Sequence, residues 1–388
     1  MADKSLSGEK KFHVVKRAGI PVWRAWLIRI IAVFLALIVA GIFVMVVTKL
    51  NPIDVYKTMF DGAFGTGRKL WSLAQNTAIL LCISLAVTPA FKMKFWNIGA
   101  EGQVMAGCIA TATVMILLGG KMPTWALMIV MIVSSVLAGV VWGIIPAFFK
   151  AYWNTNETLF TLMMNYIAIQ LASYLSTVWE NPAGSAHIGI INSASKAGWL
   201  PTLFGKKYLL NIIIVAVITV ALYLYFKFSK HGYEIAVVGE SQNTARYVGM
   251  NVKKIIIRTM ALSGALCGIA GLLIVAGTDH TLSSSSVGGQ GFTAVMVSWL
   301  AKFNPFTMIL TSGLIAALGK GASEIAQEFN LNDSIADIIT GIIIFFIIGC
   351  EFFINYKIVR SNRVNSKIVK IQPENETAQS NITEGEKA

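Results

Sequence analysis

An all-α, polytopic integral membrane fold is predicted by three features of the sequence. Of its 388 residues 55% are hydrophobic and only 13% charged; the hydrophobic residues gather in long runs; and the charges fall mostly between those runs. A bilayer core takes roughly 20 apolar residues per spanning helix, which is the length scale of the runs.

Taken in order, spans are expected near 27–48, 70–90, 95–119, 124–149, 157–179, 208–228, 257–277, 291–303, 305–323 and 335–356, about ten in all. The first is longer than the apolar core of a signal peptide and has no small-residue cleavage site after it, so it reads as an anchor. The third opens on the polar stretch FWNIGAEGQ. The eighth is short and includes Gly291, so it is expected to be broken or re-entrant, sheltered from lipid by protein. The ninth contains GLIAALGKGA, whose small residues let it pack closely against a neighbouring helix. The tenth follows Asn332 and Asp333. The eighth opens on SSSSVGGQGF, much as the third opens on NIGAEGQ. The two would run in opposite directions, which suggests an inverted repeat of segments two to five against seven to ten.

With the N-terminus placed in the cytoplasm, 23 of the 32 Lys and Arg residues fall on inside segments. The positive-inside rule favours that orientation, with both termini cytoplasmic. Four regions follow: a basic N-terminus (1–26), a first transmembrane helix with its outer loop (27–69), the main membrane domain (70–356) and a polar tail (357–388) expected to be disordered. The main cytoplasmic loop is 229–254, SKHGYEIAVVGESQNTARYVGMNVKK.

The formal charge of +13 builds no basic face with interleaved aromatics, so no nucleic-acid partner is expected. Cys82, Cys108, Cys267 and Cys350 lie in apolar segments without CxxC spacing, and the four histidines are scattered, so no disulfide, metal or cofactor is expected. The nearest match to a phosphate-binding loop, GLIAALGKGA, has five residues between Gly313 and Gly319 where four are needed, and Gly321 where Ser or Thr should stand. Together with the absence of a hydrolase or metalloprotease motif, this argues against an enzyme.

Ion-coupled transport would require buried ionisable groups. Asp337 belongs to a helix start, Glu351 to the interface near Lys357, and Asp279 and Glu324 to the outer edge, leaving Glu101 as the deep candidate. Asn97 is expected to cap a helix whose first turn carries Glu101, so that Glu101→Gln costs on the order of 0.3–1 kcal/mol through the helix dipole. In the cytoplasmic loop, Gly232 and Gly239 precede a short mixed stretch, Asn243 to Met250, ending near Gly249. Its narrow apolar face suits a protein groove better than a lipid surface.

These stretches, NIGAEGQ (97–103), NETLFTLMMNYIA (156–168), GYEIAVVGESQNTARYVGMN (232–251), ALSGALCGIAGLL (261–273) and GFTAVMVSWLAKFNP (291–305), together resemble permeases of ATP-binding-cassette importers. The resembling branch is the ribose and branched-chain amino-acid permease family, and within it the nucleoside permeases. The resemblance implies a cytoplasmic ATPase subunit, a second and shorter permease, an extracellular substrate-binding lipoprotein, and a bacterial cell membrane. It also implies that the loop is the coupling element, with Gly232, Gly239, Glu240, Asn243, Ala245 and Gly249 at the ATPase contact. On that reading a bulky Ala245→Trp would weaken ATPase docking. The family's commoner loops carry Arg or Lys ahead of the Ala-Val-Gly pattern, where this chain has Glu234-Ile235.

A nucleoside is neutral, with an aromatic base and sugar hydroxyls, so its path should offer rings and amides. Phe95, Trp96, Asn97, Glu101, Gln103, Asn165, Tyr166 and Gln290 are the candidates, with Ser283 to Ser286 beside them. A simple sugar suits the same residues, an ion-coupled transporter is the reading from another class, and a structural assembly factor is a third.

Overall fold

The computed structural model describes residues 12–16, 21–185 and 187–360. The expected tail lies outside them beyond Arg360, as does most of the basic N-terminus. Among the described residues nine helices are long and apolar enough to cross a membrane, so the chain is a multi-pass membrane protein.

Two compact units divide the chain. One combines residues 1–50 with 341–388. Its helix α1 (Val22–Thr48) is apolar around most of its circumference and ends where Lys49 turns left-handed. Ala32 of α1 packs with Cys350 and Ile354, and the Arg29 guanidinium meets Glu351 Oε1 at 2.7 Å. Glu351, expected at the interface near Lys357, therefore has Arg29 as its ion-pair partner. Outside the helices, strand β1 (Phe12–Lys16) pairs antiparallel with β2 (Tyr356–Arg360), Val14 opposite Ile358. This small ladder is the one departure from an all-helical reading among the described residues. It also orders the first residues of a tail expected to be disordered. The pairing joins the two ends of this first unit.

The second unit, 51–340, carries α2 (Pro52–Phe64), α3 (Gly67–Lys92), α4 (Ala100–Leu118), α5 (Thr124–Trp153), α6 (Glu157–Val178), α7 (Leu209–Phe228), α8 (Lys230–Glu240), α9 (Gln242–Tyr247), α10 (Val252–Ile274), α11 (Gln290–Leu300) and α12 (Pro305–Glu328). The last helix, α13 (Asp333–Asn355), begins in this unit and continues into the first. The eighth expected span is α11, only 11 residues long and too short to cross. Where a long loop was expected, α2 appears, started by Asn51 and Pro52. Its buried face (Val55, Met59, Gly62 and Ala63) lies on α12, and Lys69 Nζ meets Glu324 Oε1 at 2.6 Å. Thirteen amphipathic residues are too few for a bilayer span, which is why hydropathy passes over α2.

The centre is made by α10 against α3, α4 and α5. Glycines four residues apart make this possible. Gly264 and Gly268 lie on the backbone of α5 at Gly139 and Ser135, and Gly107 of α4 lies on Gly268, with no room for a Cβ. Lipid offers no hydrophobic drive between helices, so contact of this kind holds them. α5 and α7 are apolar but mostly exposed, the pattern of lipid-facing helices.

Candidate functional site

Only the second half of the polar stretch at 95–107 is helical, with Glu101 in the first turn of α4 as expected. The chain is irregular from Met93 to Gly99, and α4 starts only at Ala100. Asn97 is not the cap expected. Its Oδ1 accepts the Gly99 N–H two residues on, at 3.0 Å, and also the Gln103 amide at 3.2 Å. Asn97 Nδ2 lies 3.3 Å from Ser263 Oγ on α10. From α6, Asn165 grips the same turn: Oδ1 accepts the Gly102 N–H at 2.8 Å and Nδ2 donates to the Ile98 carbonyl at 2.9 Å. Two amides, Asn97 and Asn165, thus satisfy backbone groups that a helix start leaves open, and Gln103 holds Asn97 in place.

Glu101 does something the sequence order hides. Its carboxylate leaves α4 and accepts two backbone N–H groups at the start of α11, Oε1 from Gly289 at 2.8 Å and Oε2 from Gly291 at 2.7 Å. Residues 188 and 190 positions apart are clamped, and the two similar Gly- and Gln-rich helix starts meet each other. Gly289 holds φ +75°, and a Cβ at Gly291 would strike the Glu101 backbone. Both glycines are needed for the clamp.

The remaining path candidates scatter. Phe95 is buried beside Met93, Ile235, Val238 and Ala245, in a cluster joining the 93–95 turn to α8 and α9. Trp96 is half exposed and stacks on Trp299 at 5.5 Å between ring centres, with Phe91 and Phe303 edge-on or parallel nearby. Tyr166 is exposed on α6. Gln290 opens α11, and its Oε1 is buried without a hydrogen-bond partner among the described residues. Ser283, Ser285 and Ser286 hydrogen-bond among themselves. Asp337 is exposed, Glu324 is held by Lys69, and Asp279 is exposed at the end of a π-helical turn, Val275–Asp279, that continues α10.

The loop 229–254 is two helices, α8 and α9, folded onto the bundle. Gly232 and Gly239 face inward, against the Tyr225–Phe226 backbone and the Lys92 carbonyl respectively. Ala245 also faces inward, fully buried in the Phe95 cluster. These three, expected at a partner contact, pack against their own chain. Small residues suit the side of a helix that presses on another helix. Glu240, Asn243 and Gly249 are exposed, and with them Arg246, Tyr247 (92% exposed) and Val248 (68%). Tyr247 and Val248 were not singled out from the sequence, although an aromatic and an aliphatic residue beside Gly249 on a polar helix was the available signal.

Beneath α8, His231 is also buried. Nδ1 hydrogen-bonds the Tyr225 hydroxyl, and Nε2 lies 3.4 Å from Thr259 Oγ1 on α10. Burial, with the Arg258 charge adding to it, holds His231 below the usual imidazole range against opposing pulls from Glu234 and the Ile255 backbone. The loop therefore rests on α7 and α10 through a neutral ring. A rigid-body push on its exposed side would pass directly to α10 and to the 93–95 turn.

Among the described residues no His, Cys, Asp or Glu cluster could hold a metal. Several known proteins are similar to this chain over most of its length. The guanosine ABC transporter permease of Bacillus subtilis is 29% identical over 328 residues, covering 83% of this chain and 92% of its own. The glucose ABC transporter permease of Haloferax volcanii is 27% identical over 353 residues, with 88% and 92% covered. The nucleoside ABC transporter permease B of Lactococcus lactis is 24% identical over 352 residues, with 88% and 96% covered. The family described as the branched-chain amino acid transport system permease component matches residues 70–348, and the chain belongs to it.

Proposed function

We propose that this chain is the membrane-spanning permease subunit of an importer that carries nucleosides into a bacterial cell, driven by ATP hydrolysed on a separate cytoplasmic subunit. A second, shorter permease and an extracellular substrate-binding lipoprotein complete the assembly, with both termini of this chain cytoplasmic. The observation that carries the ATP-driven part is the α8–α9 element. Its small residues and His231 fix it to α3, α7 and α10, while Arg246, Tyr247 and Val248 are turned outward. An exposed aromatic and aliphatic pair on a short helix is a protein-docking feature, suited to a groove on a partner.

Nucleosides as cargo are supported by the guanosine and nucleoside relatives. The glucose relative supports a simple sugar as the second reading. Ion coupling through Glu101 is less favoured, because both its carboxylate oxygens are engaged by backbone N–H groups. The test is uptake of radiolabelled adenosine, uridine and glucose in cells expressing the full transporter. Nucleoside uptake that falls on ATP depletion and survives collapse of the ion gradients is expected. Uptake of glucose alone would transfer the function to the second reading, and loss with the ion gradient would remove ATP drive.

A further inference from the structure

A cavity of about 570 Å³ opens at the far end of α10 from the coupling helices, lined by Trp199, Asn211, Thr278 and His280 among others. The helix and its π-helical extension run 28 residues, so this end is about 40 Å from α9. Four features make it a built site. Trp199 and His280 stack face to face, 3.8 Å between ring centres and 1° from parallel. The wall carrying Gly277 and Thr278 is the π-helical turn Val275–Asp279, a distortion that concentrates at functional sites. His280, Tyr208 and Lys196, all lining residues, hold left-handed backbone at φ 53°, 68° and 52°, an arrangement uncommon away from glycine. Finally, hydrogen-bonding capacity is left over in the lining: His280 Nδ1 is buried with no partner among the described residues.

We propose that this cavity is the outer receiving site of the permease, taking a neutral nucleoside whose base extends the Trp199–His280 stack and whose hydroxyls meet Asn211 and Thr278. This rests on the nucleoside reading and the orientation proposed above. The cavity falls within the 300–1,000 Å³ range of small-molecule pockets. A stacked pair of flat rings suits an aromatic base and offers a bare sugar only the amide and hydroxyl edge. Burial, with Lys207 adding in the same direction, holds His280 below the usual imidazole range against the pull of the Val275 carbonyl. The ring is therefore uncharged and attracts no anion by itself. Two features that repeat-based reasoning would pass over, the loop Trp199 and the helix-end His280, are joined here only by the fold.

The experiment uses the assembled transporter in proteoliposomes, with photoactivatable 8-azidoadenosine as probe and peptide mapping of the adduct. Label within 191–211 or 275–280, displaced by adenosine, is expected. Trp199→Ala should lower adenosine uptake at low concentration about tenfold, since a base–aromatic stack is commonly worth that much, while Trp199→Phe keeps most of it. Labelling of the wild-type protein needs no variant to fold. Label elsewhere, or Trp199→Ala uptake equal to wild type, overturns the site while wild-type nucleoside uptake leaves the function standing. Displacement by adenosine 5′-monophosphate in preference to adenosine overturns the neutral ligand class. No nucleoside uptake by the wild type overturns the function and the site together.

Discussion

Replacing Glu101 by Gln removes one charge and converts one acceptor oxygen into a donor facing the start of α11. In the native structure both oxygens are used, at 2.8 and 2.7 Å, and the residue is 4% exposed. After substitution one of the Gly289 and Gly291 N–H groups is buried without a partner, at a cost of about 1–3 kcal/mol. Losing the negative charge at a helix N-terminus adds about 0.3–1 kcal/mol. The sum, about 1–4 kcal/mol, exceeds the mild dipole effect the sequence suggests, because the carboxylate serves another helix and not its own. At roughly 2 °C per kcal/mol for a domain of this size, the unfolding midpoint should fall by about 3–8 °C. The assay is thermal unfolding of the purified transporter in nanodiscs, followed by nucleoside uptake at matched protein levels. Glu101→Asp, charged but one carbon shorter, should recover only part of the loss. An unchanged midpoint in Glu101→Gln would refute the clamp. An unchanged midpoint with abolished uptake would point instead to a proton carried by this carboxylate.

Other outcomes follow from the same geometry. Val248→Asp or Tyr247→Ala should reduce recovery of the ATPase subunit with little change in unfolding midpoint, whereas Ala245→Trp, inside the chain's own core, should destabilise by an overpacking cost of about 1–3 kcal/mol; the reverse pattern in pull-down and melting would reassign the docking face. His231 is held below its ordinary value, so the unfolded chain takes up the proton first as pH falls. Stability present above about pH 6.5 is therefore lost below it, and His231→Gln should flatten that slope in melts from pH 8 to 5. Cysteines placed at Lys230 should be shielded from a membrane-impermeant thiol reagent in intact cells and at Ser193 should react, against a quiet background because the four native cysteines are buried; labelling at Lys230 alone would invert the orientation.

The spanning helices are written in the chain itself. LLNIIIVAVITVALYLYF can do little in a bilayer except satisfy its own backbone as a helix, and both ends of α7 fall within a residue of the apolar run. The brevity of α11 is legible too, in the distance from Gly291 to Pro305. Helix ends defined by polar residues are less so: Asn97 looks like a cap, and only the fold shows it bonded to Gly99, Gln103 and Ser263. What Glu101 holds cannot be read locally, because Gly291 is 190 residues away and only the packing of α4 beside α11 makes them neighbours. The direction Ala245 faces is likewise a tertiary matter. A six-residue helix has no pattern long enough to set its orientation, and its inward side is set by the cluster it joins, with Phe95, Ile235 and Met260. The sequence determined which segments enter the membrane, since burial in lipid is a property of each segment alone. The tertiary structure decided which polar atoms meet, since a hydrogen bond depends on two segments and the distance between them.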